Sequence, residues 1–293
     1  MKPKAAGLEG QGRRWRTDPV PHLVKGSCVP MRRPLLWLGL LAPAVCLAAD
    51  SLPSWKVVRC SQPPIIDGKL DDPCWSEQTL VSNFRNVLTG DVARVQTRFC
   101  VLYDDNNLYF AIHCDEPDMA GLRANLQAHD DSLWTDDCVE LLLDPTNQRE
   151  SYVHLIINPY GAVYDAWVSA QGTRMDMDFD CGAEAAAGRF EGGWAVELRV
   201  PFAGLRLTRK AGGTWGFNLC RQRKPAPAEL SCWSPTFREG FHHPDRLGTL
   251  TGLPPGYRIY LLSLARPRFL EPHFEEKQLA GTLAIPFENH TER

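Results

Sequence analysis

The 293-residue chain has no C-x-x-C pair and no His/Cys spacing of a structural zinc site. It has no G-x-S-x-G elbow, no phosphate-binding glycine loop and no H-E-x-x-H. Each missing pattern removes a chemistry: thiol redox and zinc-finger folding, serine hydrolysis, nucleotide hydrolysis, and zinc peptidase action. Acidic residues are plentiful, but none falls into EF-hand spacing. Methionine is scarce, with 5 residues. Sustained helical periodicity is missing, as is an internal repeat. The longest apolar run, within residues 34–49, is too short to span a bilayer comfortably, so no membrane span is expected.

That short run has another reading. From Met31 to Asp50 the chain carries two arginines, the apolar run and a small-residue end at Cys46-Leu-Ala48. This is the make-up of a secretory signal peptide over residues 31–49. Thirty basic, Pro-containing residues precede it, so Met31 is the expected true start and 1–30 an over-extended, disordered segment. The protein is then exported, to a periplasm or outside the cell. Residues 1–49 hold eight of the 32 Lys/Arg and two of the 35 Asp/Glu, which leaves 24 and 33, a net charge of −9. An acidic mature domain argues against nucleic acid or an anionic membrane as partner. It suits a neutral ligand or a cation such as calcium, with no organic cofactor.

Eight cysteines remain after Cys28 and Cys46 are set aside, and export permits disulfides. Cys220 and Cys232 flank a Pro-rich connection that reads as a hairpin loop, so they can face each other, either bonded or as two thiols. Cys100 and Cys114 are not expected to pair. With Asp104 to Asn107 as the turn, Tyr103 faces Leu108, and two-residue alternation puts the two cysteines on opposite sheet faces.

Strand signals dominate from about residue 55 to 251. Val95–Tyr103 and Leu108–Cys114 flank a polar turn, and Cys138–Leu143 and Tyr152–Ile157 flank another. Ala162–Trp167, Gly193–Val200 and Thr214–Cys220 add further strands. Only Ala203–Leu207 and Asp72–Glu77 look helical. Short strands with frequent turn residues predict an all-β, antiparallel two-sheet β-sandwich of jelly-roll or immunoglobulin-like type over residues 50–252. Residues 253–293 carry five prolines and mixed charge and read as a weakly ordered C-terminal extension.

One tract stands out. From Asp131 to Pro145, Trp134 sits among acids and is followed by a β-prone run with Glu140 in its middle. An exposed indole beside a strand carboxylate can hold a sugar ring: the ring stacks on its C–H face, and the acid takes its hydroxyls. The same residues also suit a core plug and a solvated strand acid.

Several short motifs occur in order: Ile66-Asp-Gly-Lys-Leu-Asp-Asp-Pro-Cys-Trp75, Leu102-Tyr-Asp-Asp105 with Leu108-Tyr109, and Trp134-Thr-Asp-Asp-Cys-Val-Glu140. Gly193-Trp194 with Glu197, Val200 and Pro201 follows, then Trp215-Gly-Phe-Asn218, Ser231-Cys-Trp-Ser-Pro235, and Phe241 to Gly248. The set resembles the family 9 carbohydrate-binding modules over residues 57–251. The resemblance implies a β-sandwich that binds oligosaccharide or polysaccharide without cleaving it and supports polysaccharide recognition or breakdown. It also implies a sugar clamped between two aromatic rings, and structural calcium. By position the rings fall on Trp134 and Phe241, and a ligand-binding acid falls on Glu140. Phe241 stands where the family has Trp. The family's basic residue falls near Ile156, which cannot donate, and an amide falls near Cys220.

Other residues have two readings. Trp233 lines the site floor or the core. Arg221 and Arg223 donate to sugar hydroxyls in place of the lost basic residue, or end a strand in solvent. Asp136 and Asp137, beside Trp134, are the calcium candidates, set against the turn-forming role that most aspartates here have. Trp75, Trp194 and Trp215 fit core patterns. A glycoside hydrolase is the enzyme alternative, with Glu140 and Glu197 as the carboxylate pair to test. A third class is a sandwich holding haem, with axial ligands among His113, His154, His242 and His243.

Overall fold

The computed structural model describes residues 51–207, 211–253, 262–264, 267–275 and 278–289. The expected leader and the segment before it lie outside these residues. Fourteen strands run from residue 54 to 251: β1 (Ser54–Lys56), β2 (Val58–Arg59), β3 (Arg85–Asn86), β4 (Thr97–Tyr103), β5 (Asn107–Asp115), β6 (Cys138–Asp144), β7 (Tyr152–Ile157), β8 (Val163–Ser169), β9 (Arg174–Asp176), β10 (Glu184–Phe190), β11 (Gly193–Pro201), β12 (Thr214–Arg223), β13 (Glu229–Cys232) and β14 (Gly248–Thr251). They form two sheets. The larger has the order β1-β14-β12-β6-β7-β8-β9, with β13 on β12 and β3 on β13. The smaller has the order β10-β11-β5-β4-β2. Pairing is antiparallel except at two short edges, β1 with β14 and β2 with β4.

Alternation explains why the sheets face each other. Val139, Leu141 and Leu143 of β6 and Val153, Leu155 and Ile157 of β7 point to one side. They pack with Leu108, Phe110 and Ile112 of β5 and Trp194, Val196, Leu198 and Val200 of β11. Phe217 of β12 joins the layers, with ring centroids 5.6 Å from Phe99 and 5.9 Å from Phe110. Trp194 and Trp215 are buried in this core, as their patterns predicted. The fold is an all-β sandwich.

The β4–β5 hairpin has the predicted register, Tyr103 opposite Leu108. Cys114 therefore lies in the inter-sheet core, and Cys100 on the outer face of the small sheet with Trp75. Cys220 and Cys232 are register partners, as expected, but they are free thiols. Of the two readings, the facing thiols are the one the structure has. The two helical pieces are short 3-10 turns, Pro73–Glu77 and Phe202–Gly204. Within the extension after residue 252, Arg268–Glu275 pairs with Gln278–Ala284 as a hairpin.

The large sheet has a second populated face. Cys138, Glu140 and Leu142 of β6 point away from the core, as do Tyr152, His154 and Ile156 of β7 and Tyr164, Ala166 and Val168 of β8. Loops cover this outer face with Leu133 at one end and Val87, Phe241 and Leu247 at the other. The candidate site lies between the two clusters.

Candidate functional site on the outer face of the large sheet

Trp134 sits in a 3-10 turn, Leu133–Thr135, and is 39% exposed. Its ring meets Tyr164 edge-on at 5.6 Å. The two acids that follow explain why the turn holds its place. Asp136 Oδ2 accepts the backbone N–H groups of Asn125 (2.8 Å) and Leu126 (3.0 Å) and the Asn158 amide (3.0 Å), and Oδ1 accepts the Asn125 amide (3.2 Å). Asp137 accepts the backbone N–H of Arg123 at 2.8 Å and of Lys224 at 3.0 Å. Burial pushes the Asp137 carboxyl up, against the pull of these donors. Both acids are buried, and every oxygen already faces an N–H. These bonds pin the loop that displays Trp134, a structural role that already accounts for the burial of Asp136 and Asp137.

Glu140 lies beneath this platform, 2% exposed. Its Oε2 accepts from His154 Nε2 at 2.8 Å, and its Oε1 from Gln222 Nε2 at 2.5 Å. Burial works to raise the carboxyl, but the His154 and Gln222 hydrogen bonds hold it below its ordinary value. His242 lies edge-on to His154 at 4.7 Å, with its Nδ1 2.7 Å from the Tyr152 hydroxyl. Burial, reinforced by His154, pushes the His242 imidazole down to about 4, so it is neutral at physiological pH. Lys224 donates to the Trp134 carbonyl at 2.7 Å and to Gln222 Oε1 at 2.9 Å. It brings a cation to the face where Ile156 offers none. Tyr164, itself buried, donates to Met175 at 3.3 Å, and the exposed Met175 extends the apolar strip beyond Trp134.

Three expected site residues lie elsewhere. Phe241 is 4% exposed and packs with Leu142, Tyr152 and Leu247. Its ring face is covered, so the second stacking surface is not presented there. Trp233 is 7% exposed and belongs to the inter-sheet core, 5.7 Å from Phe99. It also lines a cleft of about 410 Å³ with Arg85, Phe237 and Arg246, a lining that includes neither Trp134 nor Glu140. Arg221 points inward, because β12 alternates and Trp215, Phe217 and Leu219 fix its inner face. It pairs with Glu116 at 3.2 Å, and Arg223 joins them at 2.6 Å. Neither arginine reaches the outer face.

The suspected hydrolase pair is also separated. Glu197 of β11 lies on the outer face of the small sheet, where Trp75 Nε1 (2.8 Å) and the N–H groups of Asp67 (3.0 Å) and Gly68 (2.9 Å) close over it. Glu140 faces outward from the other sheet. Two packed sheets, themselves about 10 Å apart, stand between the carboxylates. No single cleft holds both, whereas a glycosidase needs its pair about 5–10 Å apart.

His154, Gln222, Lys224, Tyr164 and His242 were not assigned to a sugar site from sequence. His154 carried a signal: it sits two residues before Ile156 on β7, and Ile156 pairs with Glu140. That diagonal puts the imidazole within reach of the carboxylate. Residues 240–247 form a loop, and nothing local shows that His242, not Phe241, turns toward the sheet.

Among the described residues, no helix is long and apolar enough to cross a membrane. Exoglucanase XynX of Acetivibrio thermocellus is 28% identical over 156 residues, which span 53% of this chain and 13% of that protein. This chain therefore matches about an eighth of that relative's length. A Bacteroides uniformis protein assigned a carbohydrate-binding role has a similar fold, with 18% identity over 69% of this chain and 98% of that one and a TM-score of 0.54. A family 9 module of Caldicellulosiruptor kristjanssonii, solved with cellotriose, aligns over 68% of this chain and 93% of that one at 16% identity, with a TM-score of 0.49. The family model described as carbohydrate family 9 binding domain-like matches residues 66–252, which hold β3 to β14, and the chain belongs to this family of non-catalytic carbohydrate-binding domains.

Proposed function

We propose that the outer face of the large sheet binds one ring of an oligosaccharide or polysaccharide, with Trp134 as a one-sided stacking platform. The observation that carries this reading is the indole itself. It is a large aromatic left 39% exposed on a loop pinned by two buried carboxylates, beside a cluster of polar side chains. Apolar C–H faces of a sugar suit the indole, and Gln222, Lys224 and His242 supply the groups that hydroxyls need. Glu140 lies one layer deeper and aims Gln222 and His154. With Phe241 buried, the expected two-ring clamp becomes a platform, extended by the exposed Met175. The protein acts outside the cytoplasm, in a periplasm or beyond the cell; the leader-like segment at 31–49 supports this placement.

The test is calorimetry or a glycan array on the chain, in calcium-containing buffer, with Trp134→Ala alongside. The parent binds a glycan, and Trp134→Ala weakens that binding by about tenfold or more, the worth of one stacking contact. Absence of binding to every glycan, or a Trp134→Ala chain that binds like the parent, overturns the reading. Release of reducing sugar that Glu140→Gln abolishes would point to hydrolysis instead.

A further inference from the structure

We propose that Glu140, His154 and His242 form a binding site for a divalent transition-metal ion of the zinc type. One ligand atom from each of the three lies within 4.8 Å of the other two. Two imidazole nitrogens and one carboxylate oxygen are the donor set that zinc and its neighbours prefer, and calcium, which takes oxygen, does not. Ligands on one tetrahedral zinc stand about 3.3 Å apart, given metal–ligand bonds near 2.1 Å. The Glu140–His154 contact of 2.8 Å needs to open by about half an ångström, and His242 needs to move in, to reach that spacing.

Two features favour a ligand site over a plain Glu–His pair. His154 is 3% exposed, and its Nδ1 is buried without a hydrogen-bond partner. A neutral ring that carries its proton on that nitrogen gives up the Nε2–H bond to Glu140 and leaves Nε2 as a lone-pair donor, so that a metal ion between the two takes over both partners. His242 contributes nothing to the Glu140–His154 bond, yet its ring is fixed beside it. The Tyr152 hydroxyl holds Nδ1 at 2.7 Å, and among the described residues the opposite nitrogen has no hydrogen bond. Metal-binding histidines are oriented in this way, by a partner on the nitrogen that does not bind the ion. Gln222 does the same for the second oxygen of Glu140. Three protein ligands leave a fourth position for water or another oxygen ligand.

The site shares Glu140, His154 and His242 with the carbohydrate reading but is separable from it by experiment, because Trp134 contributes no ligand. The experiment is zinc titration by calorimetry on the untagged chain after chelator treatment, with His242→Ala, His154→Gln, His129→Ala and Trp134→Ala compared. One equivalent of zinc is expected, not displaced by millimolar calcium. His242→Ala and His154→Gln each weaken it by more than about tenfold. Trp134→Ala leaves it unchanged, whatever happens to sugar binding. His129→Ala also leaves it unchanged, which separates this site from the second cluster of His129, Asp165 and Asp180. No stoichiometric zinc, or zinc lost in His129→Ala and kept in His242→Ala, overturns the proposal. Should the variants fail to fold, copper(II) paramagnetic resonance on the unmutated chain decides. Nitrogen splitting from two imidazoles supports the site, and splitting from one or none overturns it.

Discussion

Each sheet of this sandwich carries one buried glutamate on its outer face, and the two are treated in opposite ways. Glu197, on the small sheet, is closed over by the segment that includes Asp67, Gly68 and Trp75, and backbone and indole N–H groups take up its oxygens. Gly68 makes that approach possible. It adopts φ +86°, and a Cβ there would stand 2.7 Å from the Ala187 backbone. Burial lifts the Glu197 carboxyl above its ordinary value, against those donors. Glu140, on the large sheet, meets mobile-proton and amide side chains, His154 and Gln222, and is held below that value. Fixed N–H donors make a staple. Side chains that can exchange partners, beside an exposed indole, make a site. The difference lies in what covers each acid, since both stand in the same strand pattern.

The strongest way to break this comparison is Glu197→Ala. Three N–H donors lose their acceptor, at a cost of roughly 4–6 kcal/mol, read as a lower midpoint in thermal or denaturant unfolding. Glycan affinity of the folded chain is expected to stay put; a parallel loss of affinity would make the small-sheet face part of the site.

Phe241→Ala comes next. A ring packed against Leu142 and Leu247 costs about 3–5 kcal/mol when truncated, whereas a ring that only stacks on sugar costs little stability. An unaltered unfolding midpoint together with lost binding would restore the two-ring clamp.

Glu140→Gln is smaller. It keeps the shape but removes the charge that orients His154, and binding is expected to weaken by about tenfold, near 1.4 kcal/mol. Calorimetry that shows unchanged affinity would reduce Glu140 to a structural role.

The finest distinction is protonation. In metal-free protein, carboxyl NMR titration should place Glu140 below and Glu197 above the ordinary glutamate value of 4.5. The signs for stability are then opposite. What Glu140 contributes is present above 4.5 and fades as pH falls through its lowered value. What Glu197 contributes is full below 4.5 and fades as pH rises through its raised value. Titration of both on the same side of 4.5 would end the contrast.

Reading from sequence succeeded where the signal is local and periodic. The β4–β5 register, the opposite faces of Cys100 and Cys114, and the core placement of Trp194 and Trp215 follow from two-residue alternation and one polar turn. The same rule, extended four residues along β12 from Phe217, would have sent Arg221 inward toward Glu116. Site residues that depend on loops were harder to place. Phe241 and His242 are neighbours, and only the packing of their loop over β6 and β7 decides which turns into the covered cluster and which toward His154. Asp136 and Asp137 looked like oxygen ligands because their N–H partners lie 10 to 87 residues away in the chain.

The sequence by itself determined the sandwich, its family and the exposed aromatic tract, because alternation and ordered motifs act over neighbours in the chain. Only the tertiary structure decided which acid is a staple and which belongs to the site. Burial, hydrogen-bond partners and the facing of a loop residue arise from segments that meet only when the sheets and their covering loops have formed.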